Sequence, residues 1–384
     1  MRKRSLLAVT ALAVAAVALA ACSSSSSSGS SGGSSAGTSA AASTGTSTAA
    51  SGASLGKVGV ILPDTKSSAR WENNDRPSLK KAFDAANIQS DIQNAEGDVP
   101  KFGQICDAMI TEQVKVLIIV NLDSQSGTAC LNKAKAAGIK TIDYDRLTLG
   151  GGADYYVSFD NVKVGELQGQ GLIKCLTDKG VTKANIVYIN GAATDNNAAL
   201  FKQGYVQALK AKIASGAYKL VGDQSGNWDP NVAQTVWEQF YTAQKGNIQG
   251  AIVANDGMGG GVAAAMAKEG VLGKIPFTGQ DATDEGLQRV LLGQQCVTVF
   301  KNTNLEAALA SKIAIALING QDASSIATSQ IEDTQTKKMV AFAAATPVAI
   351  FKDNVKVVID SGYTTAKNVC TGAAAAVCTQ EGIS

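Results

Sequence analysis

Histidine is missing from this sequence of 384 residues. A chain without histidine cannot build a Ser-His-Asp or Cys-His catalytic group, and it lacks the most frequent general base and zinc ligand. Carboxylates, lysine or tyrosine would have to perform any catalysis. The absence therefore excludes the common hydrolase designs and the common zinc sites.

An excess of one charge is also absent, because the chain has 34 basic and 32 acidic residues. Three of the basic residues, Arg2, Lys3 and Arg4, lie at the extreme N-terminus, so the rest of the chain is close to neutral. This excludes the basic surface that is typical of nucleic-acid-binding proteins. Beyond the N-terminal segment, no stretch is apolar enough to predict a membrane-spanning helix.

The N-terminal segment has the organisation of an export signal: a charged start, an apolar run, and the small-residue sequence Leu-Ala-Ala-Cys ending at Cys22. The run is shorter than the roughly 20 residues that a spanning helix needs, so we predict a signal peptide over residues 1–22. Its end resembles the bacterial lipobox, in which the cysteine is acylated, and this implies a lipid anchor at Cys22. The alternative is an ordinary signal peptide with a chance cysteine. Residues 23–56 are almost wholly Ser, Gly, Ala and Thr, which predicts a flexible tether.

Six cysteines remain beyond Cys22, an even number that in an exported chain fits three disulfides. Spacing alone leaves 15 possible connectivities.

From Lys57 onward, short β-rich apolar runs alternate with amphipathic stretches in two successive sets. The first set includes KVGVILP and VKVLIIV, and the second includes NIVYING and GAIVAND. This alternation predicts an α/β fold of two Rossmann-like lobes with parallel sheets. The strand YYVSFDN leaves no room for a long linker, so we expect direct crossings that form a hinge near Asp160, Lys301 and Met339. The predicted boundaries are 57–158 plus about 302–338 for lobe 1, and 159–301 plus about 339–384 for lobe 2.

Polar residues follow nearly every predicted strand, at the sheet edge where open parallel sheets bind ligands. Each one alone has a simple alternative explanation, because Asp and Asn are favoured helix caps and turn formers. Together, carboxylates, amides and a guanidinium match the donor and acceptor pairs of vicinal hydroxyls better than they match a phosphate. The strand ends are Pro63-Asp64, Asn121-Leu122-Asp123, Asp145-Arg146, Asp160-Asn161, Thr194 to Asn197, Asn255-Asp256, Gln280-Asp281 and Lys301-Asn302.

The pair Asp145-Arg146 follows the apolar run that ends IDY. An ion pair that ties a loop to a strand is the structural alternative for these two residues. Adjacent residues on an extended strand point to opposite sides, so we expect the pair to contact a ligand and not each other. Trp71 and Trp228 also lie near strand ends, where an indole face would cover the C–H face of a pyranose; core packing is the alternative for both.

Several motifs, in order over residues 57 to about 320, resemble the bacterial type I periplasmic sugar-binding proteins of ABC importers, most closely the xylose-binding members. They are ARW (69–71), YDR (144–146), SFDNVKVGELQ (158–168), TDNNAALF (194–201), VGDQ (221–224), AND (254–256), GQDA (279–282) and VFK (299–301). The resemblance implies a non-enzymatic protein that binds a monosaccharide, D-xylose, in a closing cleft and delivers it to a permease and its ATPase. It implies no cofactor or metal, membrane attachment only through the N-terminal lipid on the outer face of the cell membrane, and a monomer.

The family positions that match these motifs imply a set of ligand-binding residues here. They are Arg70, Asp145, Arg146, Asp195, Asn197, Asn255, Asp281 and Lys301, with Trp71 and Trp228 stacking on the sugar. The first-strand exit PDTKSSARW, the loop NDGMGGG and the hinge sequence FKN depart from the family pattern, which leaves an aldopentose or an aldohexose open. The fold of the family further suggests three disulfides, Cys106–Cys130, Cys175–Cys296 and Cys370–Cys378.

Three competing motifs point elsewhere. GASLG (52–56) matches a nucleophile elbow but lies in the tether of a chain without histidine. GGGVAA (259–264), with Asp281 about 20 residues on, formally matches a dinucleotide fingerprint and keeps a nucleotide-dependent enzyme as a remote alternative. DYDRLTLGGGAD (143–154) lacks the glycine and one ligand of a calcium loop.

A sugar sensor that docks on a chemoreceptor or sensor kinase would have the same sequence features as a binding protein of an importer, and stays as the main alternative.

Overall fold

The computed structural model describes residues 56–383, so the predicted signal peptide, Cys22 and nearly all of the tether lie outside the described residues. Within the described part, no helix is long and apolar enough to cross a membrane. The strands are β1 Lys57–Leu62, β2 Gln89–Asn94, β3 Val116–Ile119, β4 Lys140–Tyr144, β5 Tyr155–Phe159, β6 Ala184–Asn190, β7 Tyr218–Ser225, β8 Gly250–Val253, β9 Thr278–Gln280, β10 Val297–Phe300, β11 Ser329–Asp333, β12 Lys338–Ala345 and β13 Val348–Ile350.

The helices alternate with these strands, and a π-helical turn over Trp71–Asp75 precedes the first of them. Most begin at an Asp, Asn or Thr whose side chain accepts a hydrogen bond from a backbone N–H of the first turn, as at Asp98, Asp123 and Asp229. The helices are α1 Arg76–Ala85, α2 Val99–Thr111, α3 Ser124–Ala136, α4 Asn161–Asp178, α5 Asn196–Ala214, α6 Pro230–Ala243, α7 Asp256–Lys268, α8 Asp284–Leu291, α9 Thr303–Ile318, α10 Lys356–Asp360, α11 Ala366–Val369 and α12 Ala374–Gln380.

Lobe 1, defined here by its sheet, contains seven strands in the order β11-β12-β5-β4-β3-β1-β2. All neighbours are parallel except β11 and β12. The central strands are buried apolar runs, such as VLII in β3, because helices cover both faces of the sheet. One apolar core lies under α1 and α9, and another lies under α2 and α3.

Lobe 2 contains two three-stranded sheets, β7-β6-β8 and β9-β10-β13. A single parallel bridge between Ala251 and Phe277 connects them. Only β13 runs antiparallel to its neighbour. The main core packs α4 to α7 against the first sheet, and a smaller core holds the C-terminal helices against α8 and β10. The expected α/β class and type I periplasmic binding protein fold are confirmed.

The lobe boundaries differ from the prediction at the third crossing. β12 pairs with β5 over Ala341–Ala345, so this segment belongs to the sheet of lobe 1 and not to lobe 2. The crossing therefore lies at Thr346-Pro347, not near Met339. The apolar run MVAFAAATPVAIF looked like one strand, but the proline inside it removes a backbone donor and separates β12 from β13.

Candidate functional site

All ten residues predicted to contact a ligand line one cavity between the lobes. Each is between 2% and 8% exposed, although eight of them carry a charge or an amide. Buried groups of this kind persist only where they are paired or bind a ligand. The ten are Arg70, Trp71, Asp145, Arg146, Asp195, Asn197, Trp228, Asn255, Asp281 and Lys301.

Asp145 and Arg146 reach the cavity by a route that differs from the expected one. β4 ends at Tyr144, and Asp145 has a φ of 62°, in the left-handed region. The Arg146 N–H donates to the Tyr144 carbonyl at 2.7 Å, so the pair forms a tight γ-turn and not an extended strand. The predicted orientation of the two side chains to opposite sides of a strand is therefore wrong, because the turn presents both side chains to the same cavity.

Asp281 and Trp228 are also in strained backbone, with φ values of 91° and 54°. Non-glycine residues are uncommon at positive φ, and such strain concentrates at binding sites. Surrounding contacts hold both in place. The Asp281 N–H donates to Val299 O at 2.9 Å, and the Trp228 indole N–H donates to Asp195 Oδ2 at 3.1 Å. Gly191 lies directly against the Trp228 ring, and a Cβ at that position would come within 2.0 Å of it.

Asp195 and Asn255 are helix caps and cavity residues at once. Asp195 Oδ1 accepts the Asn197 backbone N–H at 2.9 Å and caps α5, while its Oδ2 lies 3.1 Å from Arg146 Nε of the other lobe. Asn255 Oδ1 accepts the Met258 N–H at 3.0 Å and caps α7, while its Nδ2 donates to the Ser67 carbonyl of lobe 1 at 3.0 Å. The cap explanation therefore holds for both residues, and it does not exclude contact with a ligand, because both also line the cavity.

Asp145 and Lys301 form the charged centre of the cavity. Burial opposes ionisation of Asp145, but the charges of Arg70 and Lys301 outweigh burial and lower the pKa of this carboxyl. Burial likewise opposes the charge on Lys301, and Asp281, at 3.2 Å, together with Asp145, at 3.9 Å, outweighs it and raises the pKa of the ammonium group. Asp195 differs, since burial outweighs the nearby Arg146 and raises the pKa of its carboxyl.

The two tryptophans are anchored at the cavity by their indole N–H groups. The Trp71 N–H donates to Ser67 Oγ at 3.0 Å, and the Arg70 guanidinium lies 4.4 Å from the Trp71 ring centroid. The Trp228 ring meets Phe201 edge-on, with centroids 6.3 Å apart. Both rings are buried, and both also line the cavity, so core packing does not exclude contact with a ligand.

Four further residues line the cavity and were missed: Ser67, Ser68, Phe201 and Gln280. Phe201 lies one helical turn after Asn197 on α5, a spacing that would have placed it on the same face. Gln280 directly precedes Asp281 at a strand end that was already noted. The two serines lie in the first-strand exit, where the sequence departs from the family pattern, so no motif indicated them.

The two competing motifs that lie in the described part of the chain do not form sites there. Gly259 and Gly261 lie inside α7, which begins at Asp256, and not in the turn before a helix. A Cβ at Gly261 would come within 1.9 Å of the Pro230 carbonyl, so helix packing explains this glycine. Among residues 56–383, no group of three or more acidic or cysteine side chains is arranged to hold a metal ion. GASLG lies outside the described residues apart from Gly56.

The cysteines of the described chain form three disulfides, Cys106–Cys130, Cys175–Cys296 and Cys370–Cys378. These are the pairs that the family resemblance suggested. Peptide mapping under non-reducing conditions is the direct test of the pairing.

Comparison with known proteins adds four findings. Residues 58–322 match the family described as periplasmic binding protein domain. The D-xylose-binding periplasmic protein of Escherichia coli (strain K12) is 33% identical over 80% of this chain and 90% of its own length. A multiple sugar-binding periplasmic receptor of Rhizobium radiobacter is 34% identical over 81% of this chain and 91% of its own. A carbohydrate transporter solute-binding protein from Chloroflexus aurantiacus, solved with D-glucose, is 31% identical with a TM-score of 0.74, and covers 81% of this chain and 97% of its own.

Proposed function

The chain belongs to the periplasmic binding protein domain family, and from this premise we propose that it binds D-xylose between its lobes and delivers it to the permease of an ABC importer. At the coarser level it is an extracytoplasmic sugar-binding protein of an ABC transporter and not an enzyme. A nucleotide-dependent enzyme, the remote alternative, is therefore dropped.

The observation that carries the proposal is a group of buried polar atoms at the cavity that make no hydrogen bond within the described chain. They are Arg146 Nε, Gln280 Oε1 and Asp281 Oδ1. Buried polar atoms without partners are rare in native proteins because each costs about 1–3 kcal/mol. Arg146 Nε and Asp281 Oδ1 do lie at ion-pair distance from Asp195 and Lys301, without the alignment of a hydrogen bond. Hydroxyl groups of a sugar would supply an acceptor to Arg146 Nε and donors to Gln280 Oε1 and Asp281 Oδ1.

The chemistry of the cavity wall fits a neutral polyol. Three acidic and three basic residues surround it, so its formal charges balance and no excess positive charge is available for a phosphate. Trp71, Trp228 and Phe201 provide apolar surface for the C–H groups of a pyranose ring. Support for D-xylose itself comes from the identity to the xylose-binding relative over most of both chains.

A second candidate is a sensor that presents D-glucose or another aldose to a chemoreceptor or sensor kinase. The specific support is the similarity to a relative named as a multiple sugar-binding receptor and to a structure that contains D-glucose. Neighbouring genes distinguish the two roles: an adjacent permease and ATPase favour import, and a lone neighbouring sensor favours signalling.

Calorimetric titration with xylose, glucose, arabinose, galactose and ribose tests the proposal. We expect D-xylose to bind most tightly, and Asp281→Ala to weaken binding at least about tenfold because a charged hydrogen-bond partner is lost. Asp98→Ala, which removes a helix cap away from the cavity, is the matched control and should leave affinity unchanged. No binding to any of the five sugars, or unchanged affinity in the Asp281 variant, would contradict the proposal.

We further propose that Cys22 is acylated and that the mature protein is a monomer on the outer face of the membrane. The support is the lipobox-like sequence and the polar tether that follows it. Labelling of the expressed full chain with a fatty acid, lost in Cys22→Ser, tests the anchor. Light scattering of the purified protein tests the monomer.

A further inference from the structure

Arg70 lines the cavity, but most of the hydrogen bonds of its guanidinium go to two acids that do not line the cavity. Its Nε and Nη2 donate to the two oxygens of Asp75 at 2.8 and 2.7 Å. Nη2 also donates to Glu306. Asp75 and Glu306 are completely buried, and neither is among the residues that line the cavity. The sugar-binding assignments above give no role to either acid.

The π-helical turn Trp71–Asp75 explains how Asp75 reaches Arg70. The Arg76 N–H bonds to the Trp71 carbonyl five residues earlier, the spacing of a π-helix. Side chains five apart, such as Arg70 and Asp75, can therefore face each other, whereas an α-helix pairs residues three or four apart. π-Turns are rare and frequently occur at functional sites. The Tyr144 hydroxyl also donates to Asp75 and fixes the carboxylate from β4.

Glu306 approaches from a different element. It lies in the first turns of α9, directly after the crossing at Lys301 and Asn302. One of its oxygens accepts from Arg70, and the other, Oε1, has no hydrogen-bond partner although it is buried. Burying a carboxylate with an oxygen that lacks a partner costs free energy unless the group is neutral, so the position points to a specific role for Glu306.

Hydrogen bonds connect Arg70 through Asp145 to lobe 2. Its Nη1 donates to Asp145 Oδ2 at 2.6 Å. Asp145 in turn accepts the Asn197 side-chain N–H of lobe 2, at 2.9 Å on its carbonyl and 3.1 Å on Oδ1. Asn161 Nδ2 donates to Asn197 Oδ1 at 2.9 Å and fixes this amide. A continuous chain of hydrogen bonds thus runs from the two buried acids to the opposite lobe.

We propose that Asp75 and Glu306 are positioning residues that hold Arg70 and, through it, Asp145 in the geometry that grips the sugar in the closed cleft. The inference rests on the proposed function. Asp75 acts through the two-point contact that the π-turn permits, and Glu306 acts as a neutral group in the closed form.

Burial is the main reason why Glu306 is neutral there. Burial raises the pKa of Glu306 to about 8, against the opposing charge of Arg70. Burial also raises the pKa of Asp75. Ionised Glu306 would add one more negative charge beside Asp75 and Asp145 in a buried cluster, and hydration of this cluster in the open form would reduce that cost. The charged and titratable groups that face Glu306 are Arg70 and Asp75 beside the π-turn, Tyr144 and Asp145 at the end of β4, Tyr156 on β5 and Lys301 after β10.

Isosteric variants test the inference by calorimetry with the sugar that the wild type binds best. Asp75→Asn should weaken binding about tenfold or more, because it leaves an Arg70 donor unpaired. Arg70→Lys retains the positive charge but cannot make the two-point contact with Asp75. Adding Asp75→Asn to Arg70→Lys should therefore weaken binding much less than Asp75→Asn does in the wild type. Asp333→Asn, an equally buried change at the turn between β11 and β12, is the control and should lower stability without changing affinity.

The pH profile separates positioning from a purely structural role. Wild-type affinity should fall as the pH rises from 6 towards 8 and then level off, because Glu306 ionises at a lower pH in the open form than in the closed form, whereas Glu306→Gln should lack this fall. The inference would be overturned if affinity changed with pH in the same way in the wild type and in Glu306→Gln. It would also be overturned if the losses of affinity caused by Asp75→Asn and Arg70→Lys were additive. If the wild type binds no sugar, the proposed function fails instead, so the two failures are distinguishable.

Discussion

At the scale of single residues, the site is built from side chains that each satisfy two demands. Asp195 and Asn255 cap helices with one atom and face the cleft with another. Asp145, Trp228 and Asp281 occupy positive φ, which costs of order 1–3 kcal/mol each and must be offset by surrounding contacts. The predicted binding residues therefore also determine the local fold.

Replacing Glu306 with glutamine should stabilise the protein in a pH-dependent manner. The folded-state pKa of about 8 lies above the ordinary value of 4.5, so the folded state favours the protonated acid. The contribution of wild-type Glu306 to stability is complete below pH 4.5 and declines as the pH rises towards 8. Glutamine does not titrate, so the melting temperature of Glu306→Gln relative to wild type should increase from pH 5 to pH 8 and then level off. A difference that is constant over this range would contradict the raised pKa.

At the scale of elements, hydrophobic periodicity and helix-cap residues in the sequence predicted the central strands and the starts of the helices. Buried runs such as VLII gave the central strands, and Asp or Asn at their ends gave the helix starts and most of the site. β2, with the sequence QSDIQN, was missed because an edge strand is half exposed and lacks an apolar run. The π-turn and the γ-turn at Asp145 were missed because long-range contacts with Asp75 and Arg70 stabilise them, and no local pattern encodes such contacts.

The disulfides should contribute to stability according to the length of chain that each one closes. Cys175 and Cys296 are 121 residues apart, whereas Cys370 and Cys378 are 8 apart. Loop-closure entropy predicts a loss of about 5 kcal/mol of unfolding free energy for the Cys175→Ala/Cys296→Ala variant and roughly half of that for Cys370→Ala/Cys378→Ala. Denaturant unfolding measures both losses. Sugar affinity should be retained in each variant, because none of these cysteines lines the cavity; equal losses would indicate strain or residual unfolded-state structure instead.

At the scale of the whole molecule, function depends on the relation between the lobes. The chain passes between them after Phe159, after Lys301 and at Thr346-Pro347, so three short segments act as the hinge. Direct contacts then close the cleft: Arg146 with Asp195 inside, and Lys66 with Asp229 at the mouth. The mouth pair is partly exposed and should contribute little, since exposed ion pairs are typically worth 0–1 kcal/mol. Under the proposed function, closure therefore depends on the buried contacts and on a sugar that bridges them.

Small-angle X-ray scattering tests this dependence on the sugar. Without sugar, the buried charges Asp145, Asp195 and Lys301 gain hydration when the lobes separate, so we expect the open form to dominate and the radius of gyration to be larger. A sugar that contacts both lobes binds the closed form better and shifts the population towards it, so the radius should fall at saturation. A sugar that calorimetry shows not to bind is the control, and should leave the radius unchanged. A radius that stays constant when the binding sugar is added would contradict closure by hinge motion.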